Sequence, residues 1–377
     1  MICSGTDALT GQVIEVSFSR TISNVHEVPA SAADPVYLAP GFIDIQVNGF
    51  MGVDFNDPVV PLADLTRSLH AILQTGVTRC LPTVITGGPD DMLGCLRNLR
   101  RAQLEIENGH AIAGFHVEGP YIGPEDGPRG AHPARWVRPP SIDEYRRWQE
   151  ATAGQVRVVT ISPHWAEAPA WISAVAADGV TVSIGHTGAN SDQIQAAVDA
   201  GATLSTHLGN GAHQQMRRHP NYIWDQMAED RLSASLIADG IHLGRAFLQT
   251  ALRAKTPARS ILVTDASAPA GAIPGRYRLG EQDADLTEDG RVVLAGTDKL
   301  AGSALKMNDG VAKMMSLGGL TLAEAIATAT LNPARLINLD GHKNGIVEGD
   351  AGDLVAFRLN NGEVDVEAVY LAGQRVR

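Results

Sequence analysis

Several short stretches of this chain end in side chains that bind metals or move protons. Gln46 and Asn48 close GFIDIQVNG, His116 and Glu118 lie in AIAGFHVEGP, and His186 ends VTVSIGH. His207 ends ATLSTHL, Asp239 and His242 lie in SLIADGIHL, and Asp265 ends SILVTD. Imidazoles and carboxylates are ordinary ligands for a divalent cation. A hydrogen bond explains one histidine at the end of an apolar run, but the recurrence at run after run points to convergence on a shared ion.

Convergence requires elements that bring those ends together. Eight apolar runs, GFIDIQV, TRCLPTVI, AIAGFHV, VRVVTIS, VTVSIGH, ATLSTHL, SASLIAD and SILVTD, read as buried strands. Amphipathic stretches such as PLADLTRSLHAILQTG, SDQIQAAVDAG and LTLAEAIATATL read as helices among them. The pattern predicts an α/β fold, a (β/α)8 TIM-like barrel whose strand ends share one mouth. A doubly wound sheet is the alternative, weakened because no GxGxxG opens the first βα turn and no P-loop is present.

The chain ends differ in texture. Residues 11–39 read as short strands leading into a loop before Pro40 and Gly41, and the far end repeats short β runs with Asn-Gly punctuation. Neither end is long enough for a core alone, so the two are expected to pair into one small β-sandwich domain, 1–39 with 338–377, around a barrel of 40–337.

Composition sets the outer limits. The chain has 377 residues, 44% hydrophobic and 19% charged, which is globular rather than disordered or fibrous. A net charge of −12 disfavours nucleic acid and anionic membrane surfaces as partners, and a small anionic substrate would need a local basic pocket. No apolar run approaches a membrane span, and Arg20 is the first positive side chain, so a cytoplasmic location is expected. Cys3, Cys80 and Cys95 fit neither a disulfide framework nor a Cys-rich zinc site.

Together these segments resemble the N-acetylglucosamine-6-phosphate deacetylase family of the amidohydrolase superfamily. The resemblance rests on PGFIDIQVNG (40–49), HVEGPYI (116–122), RGAHP (129–133), GHTGA (185–189), THLGNG (206–211), ADGIHL (238–243), VTDASAPAG (263–271) and LAGSAL (300–305), in the family's order. It implies a barrel with a sandwich built from both ends. It also implies one divalent ion, Zn2+ before Fe2+, Mn2+ or Co2+, on Glu118, His186 and His207. Superfamily members commonly carry His-X-His where this chain has Gln46 and Asn48; neutral amides there make this a weak second-metal or substrate region. In hydrolysis the resemblance assigns Asp265 as the acid/base residue and His132 as donor to the carbonyl oxygen.

For substrate binding it points to Asn210, Gly211, His242 and Arg218, the last standing eleven residues after His207. It implies a small-molecule amino sugar phosphate substrate and a homodimer. This chain departs from the family at Gly209 and Gly211, which should permit closer ligand approach and a different pocket floor. His213, His219, Tyr222 and Trp224 follow on the same loop and are expected to pack it rather than bind sugar. The activity expected is deacetylation of an N-acetyl amino sugar 6-phosphate; the alternative is an amidohydrolase for an unphosphorylated N-acyl sugar, an N-acyl amino acid or a cyclic amide. Retention of Glu118, His186, His207 and Asp265 argues against a non-catalytic barrel.

Overall fold

The computed structural model describes residues 1–29 and 35–377, so positions 30–34 of the expected loop before Pro40 lie outside the described residues. Among the described residues, eight parallel strands follow the eight apolar runs: β1 (Phe42–Val47), β2 (Val77–Ile85), β3 (Phe115–Glu118), β4 (Val156–Ile161), β5 (Thr181–Ile184), β6 (Ala202–Ser205), β7 (Ser233–Leu236) and β8 (Ser260–Leu262). Each pairs with the next in chain order.

The seam between β1 and β8 closes just past the end of β8. Asp265 N donates to Gln46 O at 2.9 Å, Asn48 N donates to Ala266 O at 2.6 Å, and Val47 bridges Ala266 in parallel. Below these, the buried Asp44 carboxylate accepts from Thr264 N at 3.3 Å and from the Thr264 hydroxyl. Closure and chemistry therefore share one stretch of backbone. Ile43 and Ile45 of β1, Leu81 of β2, Val158 of β4, Leu204 of β6 and Ile261 of β8 form an apolar cluster inside the ring, making it a packed core rather than a pore.

The helices form where the amphipathic pattern places them, with local chemistry setting their starts. Asn190 opens Ser191–Asp199 with a reciprocal cap: its side chain accepts from Gln193 N at 3.0 Å while Gln193 Oε1 accepts from Asn190 N at 2.9 Å. Thr321 and Glu324 repeat the device for Leu322–Ala329.

Both chain ends enter one sheet that is seven-stranded among the described residues, four strands from the N-terminal end and three from the C-terminal end. Val13–Phe18 alternates half-buried and buried residues, the period of a strand with one face inward. Phe18 lies on that strand and Tyr370 four strand positions away, about 19 Å in a flat sheet. Their ring centroids are 5.1 Å apart, so the sheet curls back on itself like a sandwich. Asp353 ties it to the barrel, accepting from Arg79 Nε of β2 at 2.7 Å and meeting His342 Nε2 at 2.9 Å.

One element was not foreseen. After β8, Gly275–Leu279, Gln282–Leu286 and Val292–Leu294 form a three-stranded antiparallel sheet. Its charged sequence, RYRLGEQDADLTEDGRVVL, lacks the apolar texture of the barrel runs. Among the described residues no helix is long and apolar enough to cross a membrane.

Candidate active site

Glu118 is the last residue of β3, and His186, His207 and Asp265 lie two or three residues beyond β5, β6 and β8. His186, His207 and Asp265 have φ of 48°, 28° and 48°. A left-handed backbone costs a residue with a Cβ about 1–3 kcal/mol. Here it turns the chain sharply at the ends of β5, β6 and β8, and the surrounding fold supports the cost.

Three ligand atoms meet there. Glu118 Oε1 lies 3.1 Å from His186 Nε2 and 2.9 Å from His207 Nε2, and the two nitrogens are 3.1 Å apart. All three side chains are buried. His186 Nδ1 donates to Pro128 O at 2.8 Å; since a carbonyl only accepts, the Nδ1 proton stays in place, and Nε2 is the nitrogen that would give an ion its lone pair. His207 Nδ1 is buried without a partner. Ligand atoms about 2.05 Å from a tetrahedral ion stand about 3.3 Å from one another. The donor set and its spacing fit a divalent cation.

Around the cluster the amides of β1 face carboxylates. Gln46 Nε2 donates to Glu118 Oε1 at 2.9 Å and to Asp265 Oδ1 at 3.2 Å, and Asn48 Nδ2 donates to Asp265 Oδ1 at 2.7 Å. With N–H groups turned inward, Gln46 and Asn48 offer donors where a second cation would need acceptors. Burial, and then the Glu118 charge, push the Asp265 carboxyl up to about 6. Burial alone would raise Glu118 as well, but its hydrogen bonds to His186 and His207 hold it well below the usual carboxylate range.

His132 packs beside His186, ring centroids 4.4 Å apart, and its Nδ1 lies 2.8 Å from Thr86 Oγ1. Burial, followed by the His186 charge, lowers its pKa to about 3, so it is neutral at physiological pH. His242 Nδ1 lies 2.6 Å from Asp239 Oδ2, while Asp239 Oδ1 accepts from the backbone of Ile241 and His242, both at 2.8 Å.

A cavity of about 380 Å3 joins these groups. Asn48, Glu118, His132, His186, His207, Asn210, Gly211, His242 and Asp265 line it, with Gln214, Asp298 and Lys299. Arg218 does not; it stands on an exposed loop, where its carbonyl accepts from Asn221 Nδ2 at 3.1 Å. That loop is pinned by Tyr222, whose hydroxyl accepts from His213 N at 2.8 Å. Tyr222 is buried and Trp224 exposed, and neither lines the cavity.

The glycines of THLGNG both line the cavity with left-handed backbones, and each also makes room for a neighbouring side chain. A Cβ at Gly209 would sit 2.6 Å from the Phe247 ring, and one at Gly211 would sit 2.7 Å from His186 Nδ1. Each lets a side chain of this chain, Phe247 or His186, approach its backbone closely. Sequence reading also missed Thr86, Lys299 and the partner role of Asp239. Asp239 could have been found three residues before His242, whereas Thr86 and Lys299 come from segments with no local signal.

A barrel mouth holding a buried Glu/His/His cluster beside a carboxylate defines a metal-dependent hydrolase. Residues 37–376 match the Amidohydrolase family. The N-acetylglucosamine-6-phosphate deacetylase of Danio rerio is 34% identical over 349 residues, spanning 90% of this chain and 84% of that protein. The N-acetylgalactosamine-6-phosphate deacetylase of Escherichia coli O157:H7 is 31% identical over 355 residues, 94% and 92% of the two chains. Among solved structures, an aspartate-to-alanine variant of N-acetyl-D-glucosamine-6-phosphate deacetylase from Mycobacterium smegmatis, in complex with N-acetyl-D-glucosamine 6-phosphate, superposes with a TM-score of 0.87 at 32% identity. It covers 97% of this chain and 94% of that one. The present chain belongs to the N-acetylglucosamine-6-phosphate deacetylase family of amidohydrolases and is a hydrolase of amides.

Proposed function

We propose that this chain hydrolyses the acetamide of N-acetylglucosamine 6-phosphate, or of a closely related N-acetyl amino sugar 6-phosphate, releasing acetate and the amino sugar 6-phosphate. The observation that carries this reading is one cavity bringing Asp265 and His132 beside Glu118, His186 and His207. Relatives acting on gluco and galacto substrates support the substrate class.

When bound by Glu118, His186 and His207, a divalent ion, which we take to be Zn2+, supplies Lewis acidity toward water and an amide carbonyl. Asp265, beside the cluster at the mouth, accepts the proton of the attacking water and passes it to the leaving amine. Gln46 and Asn48 hold that carboxylate in place. His132, neutral and oriented through Nδ1 by Thr86, donates from Nε2 to the carbonyl oxygen as negative charge develops there. Asn210, Gly211 and His242 receive the sugar phosphate, and Arg218, off the cavity of its own chain, meets it across a homodimer. A cytoplasmic location belongs to the same reading, as does the division into an end-derived unit, 1–39 with 338–377, and a barrel, 40–337.

The test is acetate release by zinc-reconstituted protein on N-acetylglucosamine 6-phosphate, its galacto and manno counterparts, and unphosphorylated N-acetylglucosamine. The reading expects a 6-phosphate ester to be preferred. Equal or better turnover of the unphosphorylated sugar, or of an N-acyl amino acid, would overturn it.

A further inference from the structure

We infer that Lys299 is the cation with which this chain reads the substrate's phosphate from within its own cavity, and that Asp126 is the counter-ion it leaves when substrate arrives. The inference rests on the phosphosugar reading above and deepens it. In a chain of net charge −12, a phosphate monoester needs a local positive group to enter. Among the described residues lining the cavity, Lys299 is the one lysine or arginine, set against Glu118, Asp265 and Asp298.

The geometry suits exchange. Lys299 Nζ lies 2.6 Å from Asp126 Oδ1, spanning the mouth between the segment after the antiparallel sheet and the loop that carries His132. Its backbone is fixed, since Lys299 O accepts from Leu294 N at 2.8 Å and Lys299 N donates to Thr297 Oγ1 at 3.2 Å. The four-carbon stem is free to swing from that anchored base. The Asp126 side chain is 73% exposed and that of Lys299 34%, so water competes for the pair and the bond is weak. Arg129 Nη2 stands 3.3 Å from the same Asp126 oxygen and keeps the carboxylate company when Lys299 departs. A phosphate dianion offers Lys299 more charge and more acceptors than Asp126 does.

The experiment compares kcat/KM for N-acetylglucosamine 6-phosphate and for N-acetylglucosamine in wild type, Lys299→Met, Lys299→Arg and Asp126→Asn, all zinc-reconstituted. Lys299→Met is expected to lower the ratio of the two values about tenfold or more, mainly through KM, as for loss of a charged hydrogen bond. Lys299→Arg should restore most of the ratio, and Asp126→Asn should raise it by freeing the lysine. A Lys299→Met ratio equal to that of a phosphate-preferring wild type overturns the inference and spares the phosphosugar reading. A wild type without phosphate preference overturns both.

Discussion

Asn48 Nδ2 donates to Asp265 Oδ1 at 2.7 Å, across the seam where the first and last barrel strands meet. The side chain that holds the proposed acid/base residue is thus carried by the backbone that closes the barrel, through Asn48 N to Ala266 O. Replacing Asn48 with Ala removes a donor from a buried carboxylate, and kcat should fall about tenfold or more. Zinc content per chain should stay unchanged, because Asn48 makes no hydrogen bond to Glu118, His186 or His207. Turnover together with metal analysis of the variant checks this; zinc lost in step with activity would contradict it.

Glu118 is the one carboxylate among the three converging ligands. Glu118→Gln should leave the purified protein without stoichiometric zinc even after reconstitution, since an amide is a poor ligand where the ion needs charge. Wild type stripped with a chelator should lose turnover and regain it on adding zinc. A Glu118→Gln protein that binds one ion per chain at wild-type affinity would refute the ligand assignment.

Gly211 has φ +56°, and its missing Cβ leaves room for the His186 ring. Gly211→Ala would press on Nδ1, the atom that donates to Pro128 O and orients the ligand. Disturbing such an orienting contact should weaken zinc binding about tenfold or more. Competition against a chelator of known affinity measures the change; equal affinities would show that the close approach is incidental.

The same glycine marks the limits of what could be read from the sequence. The barrel strands were legible because burial on both faces demands continuous apolar runs, and the polar residues interrupting them at Glu118, His186, His207 and Asp265 stood out against that background. The purpose of Gly209 and Gly211 was not legible, since their neighbours Phe247 and His186 are distant in the chain. Thr86 and Lys299 were hidden for the same reason: each meets its partner, His132 or Asp126, far along the sequence.

Stability toward acid should depend on Asp353, which joins the end-derived sheet to the barrel. Burial would raise its carboxyl, but the hydrogen bond to His342 and the Arg79 charge outweigh that and hold it below its ordinary range. A carboxyl depressed in the folded state contributes stability above its unfolded pKa, about 4, and loses that contribution as pH falls through the folded value. Asp353→Asn should cost about 3 kcal/mol at neutral pH and flatten the decline below about pH 4. Urea unfolding as a function of pH tests both; an unchanged acid slope would remove Asp353 from the account.

The most direct test of the central claim is acetate release from N-acetylglucosamine 6-phosphate by zinc-loaded Asp265→Asn beside wild type, with metal content measured on the same samples. The site predicts wild-type zinc in the variant and turnover lowered by about a hundredfold or more, the usual scale of a lost general acid/base. Near-normal turnover with zinc in place would show that the proton is handled elsewhere, and the assignment of Asp265 would fall.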